Sequence, residues 1–152
     1  MDSDTSQFFW LLATTDESES TGGGFNATLR DYARFGVLLS NDGRRAGEQI
    51  IPADFLLEAT DQSRLPRNFR PRAATPFYGY GYQTWIFPMK ERTFALQGIH
   101  GQVIYVQPAT KIVMVQTAVF DRASGRQDPA AWRRNLDLWY GVLQSLGGRI
   151  SE

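Results

Sequence analysis

Cysteine is absent from the 152 residues of this chain, which contains one histidine and two lysines. Without cysteine there can be no disulfide framework, thiol nucleophile or thiolate metal site. A single histidine and unclustered carboxylates predict no metal site of any other kind. Neither the Gly-Lys-Ser/Thr of a phosphate loop nor a dinucleotide fingerprint occurs, so we expect no cofactor.

An excess of charge is also missing, because 16 basic residues balance 16 acidic ones. This balance gives no attraction to nucleic acid or to an anionic membrane, and we expect neither as a partner. The apolar runs fall far short of the roughly 18 to 20 residues that span a bilayer. No basic residue precedes Arg30, so the chain as it stands shows no secretory signal, and the sequence leaves the compartment open.

The length and a hydrophobic content of 42% are typical of one globular domain, which we expect to comprise residues 1–152. The first 24 residues contain five acids and no base around a short hydrophobic run. That run, residues 8–12, predicts a strand or a tucked segment. The three glycines within residues 21–24 predict a flexible joint.

Two helices are predicted in the first half of the chain. Thr28 and Asp31 have the spacing of a capping box, and the apolar residues after them predict a helix over residues 29–39. Pro52 suits the first turn of a second helix, over residues 52–60. The side chains expected on the inner faces are Tyr32, Phe35, Gly36 and Leu39 in the first helix and Phe55, Leu56 and Ala59 in the second.

A third helix is predicted near the end of the chain. Asp128 and Pro129 are typical of a helix cap and first helical position, and Gly147 is typical of a helix end. Its expected inner side chains follow at steps of four and three: Trp132, Leu136, Trp139, Leu143 and Leu146.

Between the second and third helices the pattern indicates strands. Residues 78–87 alternate with a period of two and predict one strand, whose aromatic side chains are more typical of a core than of a cleft. Further strands are predicted at residues 93–96, 102–106 and 111–118, the last two forming a hairpin. The order of helices and strands predicts an α+β fold in which helices flank an antiparallel sheet of three to four strands.

Prolines and arginines dominate the segment between residues 61 and 76, and they disfavour helix and central strand. We interpret this basic loop, which carries Arg64, Arg67, Arg70 and Arg72, as a solvated loop in preference to a docking patch for an acidic partner.

The only histidine, His100, lies between Gly98 and Gly101 at the start of a predicted strand. A lone histidine is by default structural. The neighbouring glycines raise the case for function, because they leave room for a ligand that lies along a sheet edge.

Four segments together, residues 22–36, 47–54, 78–82 and 98–102, resemble the penicillin-recognising serine hydrolases. The likeness is to the branch of class C β-lactamase-like esterases and aminohexanoate-dimer hydrolases, and it extends over about residues 8–146. It implies a partial serine β-lactamase-like, or transpeptidase-like, fold.

The same resemblance implies a role for residues 100–102, which fall where the family has a triplet on the strand that walls the active site. His100 would orient substrate or act electrostatically, with Gly101 and Gln102 completing the wall. The backbone N–H near Gln102 would be one oxyanion-hole donor. The resemblance therefore predicts a substrate-binding wall at His100, Gly101 and Gln102.

The family's other two motifs are missing from the sequence. Ser-x-x-Lys supplies the nucleophile and its base, yet the residues three before Lys90 and Lys111 are Phe87 and Pro108. No tyrosine is followed two positions later by Asn or Ser, so the proton relay is also missing. We expect no catalytic residue within this chain.

Two hypotheses follow. In the first, the chain is the C-terminal half of a hydrolase whose parent cleaves small ester, amide or lactam substrates through an acyl-enzyme. It would then be inert alone and would need a complementing N-terminal half. In the second, it is a non-catalytic binding or assembly module that uses an exposed sheet edge and the basic loop, with a homo-oligomer as one outcome.

Overall fold

The computed structural model describes residues 26–151, so the predicted strand at residues 8–12 and the joint at residues 21–24 lie outside the described part. The helices are α1 (Leu29–Ser40), α2 (Ala53–Thr60) and α3 (Pro129–Leu146). The strands are β1 (Arg44–Arg45), β2 (Glu48–Gln49), β3 (Gly79–Gly81), β4 (Thr84–Ile86), β5 (Phe94–Gln97), β6 (Val103–Gln107) and β7 (Ile112–Gln116).

The main sheet is an antiparallel meander in which β3 to β7 follow one another in chain order, while β1 and β2 form a separate two-stranded ribbon. The predicted α+β class with an antiparallel sheet and flanking helices is confirmed. The main sheet has five strands rather than three to four, because residues 78–87 are not one strand. They turn back at Tyr82 and Gln83, whose φ values of 51° and 59° suit a two-residue hairpin turn.

Helices cover both faces of the sheet. On one face, Leu39 of α1, Leu56 of α2 and Leu65 of the basic loop pack over side chains from alternate positions of the central strands: Ile86, Phe94, Ile104 and Val106. On the other face, α3 packs over the intervening positions. There the ring of Tyr105 on β6 stacks on Trp139 of α3, with centroids 5.1 Å apart and planes 11° apart. The result is a sheet held between two helical layers.

The helix ends follow the sequence closely. The Thr28 hydroxyl oxygen accepts the Asp31 N–H at 3.2 Å, and the Asp128 carboxylate accepts the Ala131 N–H at 2.9 Å. The inner faces are narrower than predicted: Phe55 on α2 is 48% exposed and Leu146 at the end of α3 is 66% exposed. The periodicity of apolar residues locates each helix correctly, but it wrongly assigns Phe55 and Leu146 to the buried faces.

Gly36 explains how closely α1 approaches the sheet. A Cβ atom at Gly36 would lie 2.5 Å from Cγ1 of Val113 on β7. At the end of the same helix, the Lys111 ammonium donates to the Ser40 carbonyl oxygen at 2.7 Å. This contact places a cation at the negative end of the helix, where it is favourable.

The basic loop contains a single turn of 3-10 helix, Arg67–Phe69. Arginines of the loop are engaged within the chain. Arg70 donates to the carbonyl oxygens of Leu65 and Ser63 at 2.8 and 3.0 Å, and Arg64 lies 3.6 Å from the Asp54 carboxylate. Over the described residues, no helix is both long enough and apolar enough to cross a membrane.

Candidate functional site

His100 lies in a one-turn 3-10 segment, Ile99–Gly101, that connects β5 to β6. The expectation that it starts a strand is therefore wrong, since β6 begins only at Val103. His100 has a φ of 58° and Gly101 a φ of 86°. Two successive residues with positive φ reverse the chain sharply, which an extended strand would not do. We refer to residues 99–101 as the histidine turn.

The histidine turn is tied to the segment that follows β7. Nδ1 of His100 lies 2.7 Å from the Phe120 carbonyl oxygen. The backbone is joined as well, because the Phe120 N–H donates to the His100 carbonyl at 3.1 Å and the His100 N–H donates to the Ala123 carbonyl at 2.9 Å. The ring and backbone of His100 are thus held by the same short segment.

Gly101 is required for two separate reasons. Its φ of 86° is rare for any residue with a side chain. In addition, a Cβ atom there would lie 2.6 Å from Cε2 of Phe120, whose ring covers the glycine. The ring can therefore lie directly on the backbone of the turn, which a larger residue would prevent.

Gln102 also faces the segment after β7. Its side-chain amide donates to the Ala118 carbonyl at 2.5 Å, and its amide oxygen accepts the Ala118 N–H at 3.1 Å. The predicted oxyanion-hole donor is a backbone N–H near Gln102. The N–H of Gln102 itself lies 3.5 Å from the Ile99 carbonyl oxygen. That distance is beyond the usual range for N–H···O bonds, so the N–H is weakly engaged.

Sequence reasoning missed two polar residues that support the turn. The amide of Gln116, the last residue of β7, donates to the Gly101 carbonyl at 2.9 Å and to Asn135 Oδ1 at 3.0 Å. Asn135 is buried on α3. These pairs are 15 and 19 residues apart in the chain, so no local spacing could have indicated them.

Two tyrosines of the core are unsuited to accept a proton. Burial raises the pKa of Tyr78 to about 12, and the smaller lowering effects of Gln97 and Trp132 do not cancel it. Burial also raises the pKa of Tyr105. Both phenols are therefore protonated at neutral pH, whereas a catalytic relay needs a group with a pKa near the working pH.

Other candidate sites are less convincing. No group of three or more His, Asp or Glu residues within residues 26–151 could hold a metal ion. A cavity of about 310 Å³ is lined in part by Thr60, Gln62, Lys90 and Arg92 and does not include the histidine turn. The turn lies instead at an open surface, where Ile99 is 65% exposed. Residues 100–102 are thus held by hydrogen bonds to Gln116 and to the segment after β7, and they remain partly exposed to solvent.

The chain matches the sequence profile of the family described as Beta-lactamase over residues 2–137. Among solved structures it is similar to a Bacillus anthracis protein that carries the provisional name of a 6-aminohexanoate-dimer hydrolase, with a TM-score of 0.59 and 28% identity. That likeness covers 80% of this chain and 30% of the Bacillus anthracis protein, so the chain spans less than a third of its length. No curated protein matches this chain.

Proposed function

The chain belongs to the β-lactamase family, and from this membership we propose that it forms the sheet and the substrate-binding wall of a serine hydrolase domain. The reaction of the complete domain is the cleavage of an ester, amide or lactam bond through an acyl-enzyme. The observation that carries the proposal is the histidine turn together with Gln102. The turn is accessible at its outer side and fixed by hydrogen bonds to Phe120 and Gln116, and Gln102 is fixed by hydrogen bonds to Ala118. Such fixed geometry is what a substrate-positioning wall needs.

We further propose that this chain is inactive alone. A serine nucleophile needs an adjacent base, and the sequence contains no Ser-x-x-Lys. The contact between Lys111 and Ser40 does not replace that pair. The lysine binds the Ser40 carbonyl oxygen, while the Ser40 hydroxyl donates to the Val37 carbonyl at 2.8 Å. The Lys111 ammonium and the Ser40 hydroxyl therefore both hydrogen-bond backbone carbonyls in the last turn of α1.

The direct test is the hydrolysis of p-nitrophenyl butyrate and nitrocefin by the purified chain. We expect no turnover above the background of buffer. Turnover that disappears in His100→Ala would contradict the inactivity, because it would show a complete site within these residues. An in-frame Ser-x-x-Lys and Tyr-x-Asn encoded upstream of Met1, followed by hydrolysis when that longer chain is expressed, would support the role in a complete domain.

A second candidate function is a non-catalytic assembly module. Its support is the position of β7, which is the last strand of the sheet within the described residues, together with the exposed Leu29 and Val37 on α1. Sheet edges of this kind accept a further strand. The basic loop adds little support for an assembly function, because Arg64 and Arg70 already have partners within the chain.

Sedimentation separates the two functions. We expect an assembly module to self-associate over micromolar concentrations and to bind a hydrophobic dye in proportion to its exposed surface. A compact monomer that binds no dye would argue against assembly by this chain, whereas it would be compatible with a hydrolase wall.

A further inference from the structure

The two edges of the main sheet differ in what lies beside them. At one edge, β3 is three residues long and the basic loop packs against it, so that a Cβ atom at Gly79 would lie 2.7 Å from the Phe69 carbonyl oxygen. At the other edge, no strand within residues 26–151 pairs with β7 on the side away from β6. β7 therefore presents unpaired backbone N–H and C=O groups along an open edge.

β7 has none of the features that usually prevent an edge strand from pairing. It contains no charged residue and no proline, and it pairs with β6 residue for residue over Ile112–Gln116, without a bulge. Charged side chains, prolines and bulges are the means by which monomeric proteins protect such an edge. The edge of β7 is therefore able to accept a further strand.

On one face of the sheet, α1 extends an apolar side chain past this edge. Gly36 of α1 faces Val113 of β7, and Leu39 packs to one side of that contact, over the central strands. Val37 lies about 100° around the helix from Gly36, on the side opposite to Leu39. It is 50% exposed. Val37 thus lies over the position that a strand beside β7 would occupy.

On the other face, α3 does the same. Asn135 of α3 accepts a hydrogen bond from the side chain of Gln116, at the end of β7. Leu138 follows three residues later, on the same side of the helix, and is 50% exposed. The open edge of β7 thus lies between two apolar walls, Val37 and Leu138. We refer to this region as the edge slot.

The edge slot requires a strand that is apolar on both faces, because a helix covers each face. β7 itself has this pattern: Val113 and Val115 pack toward α1, whereas Ile112 and Met114 pack toward α3. Antiparallel pairing of two β7 strands would place Val113 opposite Val115 of the other copy and Met114 opposite its own equivalent. No like charges would meet, since the strand carries none. What the slot requires is therefore what β7 of another copy offers.

We propose that the edge slot binds a second copy of this chain, through antiparallel pairing of the two β7 strands in a two-fold symmetric dimer. This proposal rests on the assembly function proposed above and names its partner and contact surface. A two-fold axis brings the same patch of both copies together. The dimer therefore has one continuous sheet with five strands from each copy, and it covers Val37 and Leu138 of both.

Sedimentation velocity over micromolar concentrations tests the surface. Val37→Glu places a carboxylate in the contact, twice over because of the symmetry, and should weaken dimerisation at least about 10-fold. Phe55→Glu is the matched control, because Phe55 is 48% exposed on α2, which packs on β4 and not on β7. It should leave dimerisation unchanged. Urea unfolding of both variants verifies that each is folded.

Isotope-filtered NOEs identify the strands that meet. In a mixture of 13C,15N-labelled and unlabelled chains, we expect intermolecular NOEs between Val113 of one copy and Val115 of the other. NOEs within one labelled copy from β7 to residues 1–25 would show that the chain covers its own edge, and they would overturn the proposal.

The outcomes separate this dimer from the proposed functions. A monomer at every concentration would overturn both the assembly function and the dimer, while the role as a hydrolase wall would stand. Self-association that Val37→Glu does not weaken, or intermolecular NOEs confined to other surfaces, would overturn the dimer alone.

Discussion

The side chain of Gln107 forms a pair of hydrogen bonds with the backbone of Arg149, donating to its carbonyl at 2.7 Å and accepting from its N–H at 2.8 Å. Gln107 is fully buried at the end of β6, and Arg149 follows α3. The side-chain amide of Gln107 thus forms the pair of backbone hydrogen bonds that a neighbouring strand would form, and it attaches the C-terminal segment to the sheet. Thr93 and Thr110 complete its hydrogen bonds, at 2.9 Å each.

Replacing Gln107 by alanine should lower the free energy of unfolding by about 2–3 kcal/mol. The substitution removes a fully satisfied buried amide and leaves its partners without a replacement. The cost should not exceed this range, because the C-terminal segment can detach and bind water. Urea unfolding measures the loss, and hydrogen exchange should show faster exchange of the Arg149 amide.

Gln144→Ala is the matched control, since Gln144 is exposed on α3. We expect a change within about 0.5 kcal/mol of zero. Equal losses for the two substitutions would show that the pair with Arg149 does not stabilise the fold.

Gly36→Ala should destabilise the chain, although alanine is the better helix former. The new Cβ would lie 2.5 Å from Cγ1 of Val113, so α1 and β7 would have to separate. We expect a net loss of about 1–3 kcal/mol. Combining it with Val113→Ala removes the overlapping atom, and a double-mutant cycle should show favourable coupling between the two substitutions.

Gly141→Ala provides the opposite expectation within α3. A Cβ atom there would meet nothing within 4 Å, so helix propensity alone should act and stabilise the chain by about 0.5–1 kcal/mol. If both glycine substitutions had the same sign, the close approach of α1 to β7 would not be the cause of the first effect.

Tyr78→Phe should not destabilise the chain, and it should change the response to alkali. No described residue offers the Tyr78 hydroxyl a hydrogen bond of good geometry, so its removal at neutral pH should be neutral or stabilising by up to about 1 kcal/mol. Burial raises the pKa of Tyr78 from 10.0 to about 12, which means that the folded state retains the proton after the unfolded state has lost it. Stability is therefore lost as the pH rises above 10 toward 12.

The variant has no such proton, so its advantage should grow by up to about 1.4 kcal/mol per pH unit in that interval. Urea unfolding at a series of alkaline pH values measures the difference. A difference that stays constant with pH would contradict the raised pKa. Tyr82→Phe controls for the loss of an exposed hydroxyl at neutral pH.

Much of the fold was predictable because its signals are local. Thr28, Asp128 and Gly147 act within one turn of the helix ends that they mark, and the structure places α1 and α3 accordingly. The meander follows from strands that pair with their neighbours in the chain. The β3–β4 hairpin was missed since Tyr82 and Gln83 adopt positive φ without the Asn-Gly or Asp-Gly that usually signals such a turn.

The histidine turn was predictable only in part. The glycines beside His100 indicated a site with little side-chain bulk, but the positive φ of His100 is set by Phe120 and Ala123, which lie 20 and 23 residues away. Gln116 and Asn135 support the turn through contacts that no spacing reveals. The sequence therefore indicates where the candidate site lies, whereas the conformation of the histidine turn depends on contacts between residues that are distant in the chain.

Gly101→Ala tests whether contact with Phe120, as distinct from backbone strain, holds the histidine turn. Gly47→Ala is the matched control: Gly47 has a φ of 90°, close to the 86° of Gly101, but a Cβ there would meet nothing within 4 Å. Strain alone should cost about 1–2 kcal/mol at Gly47. At Gly101 the overlap with the Phe120 ring should raise the cost to about 2–4 kcal/mol. Urea unfolding measures both losses of stability. Equal losses would show that the Phe120 ring moves aside at no cost. Phe120 would then not be held firmly enough to fix its own carbonyl, which hydrogen-bonds His100.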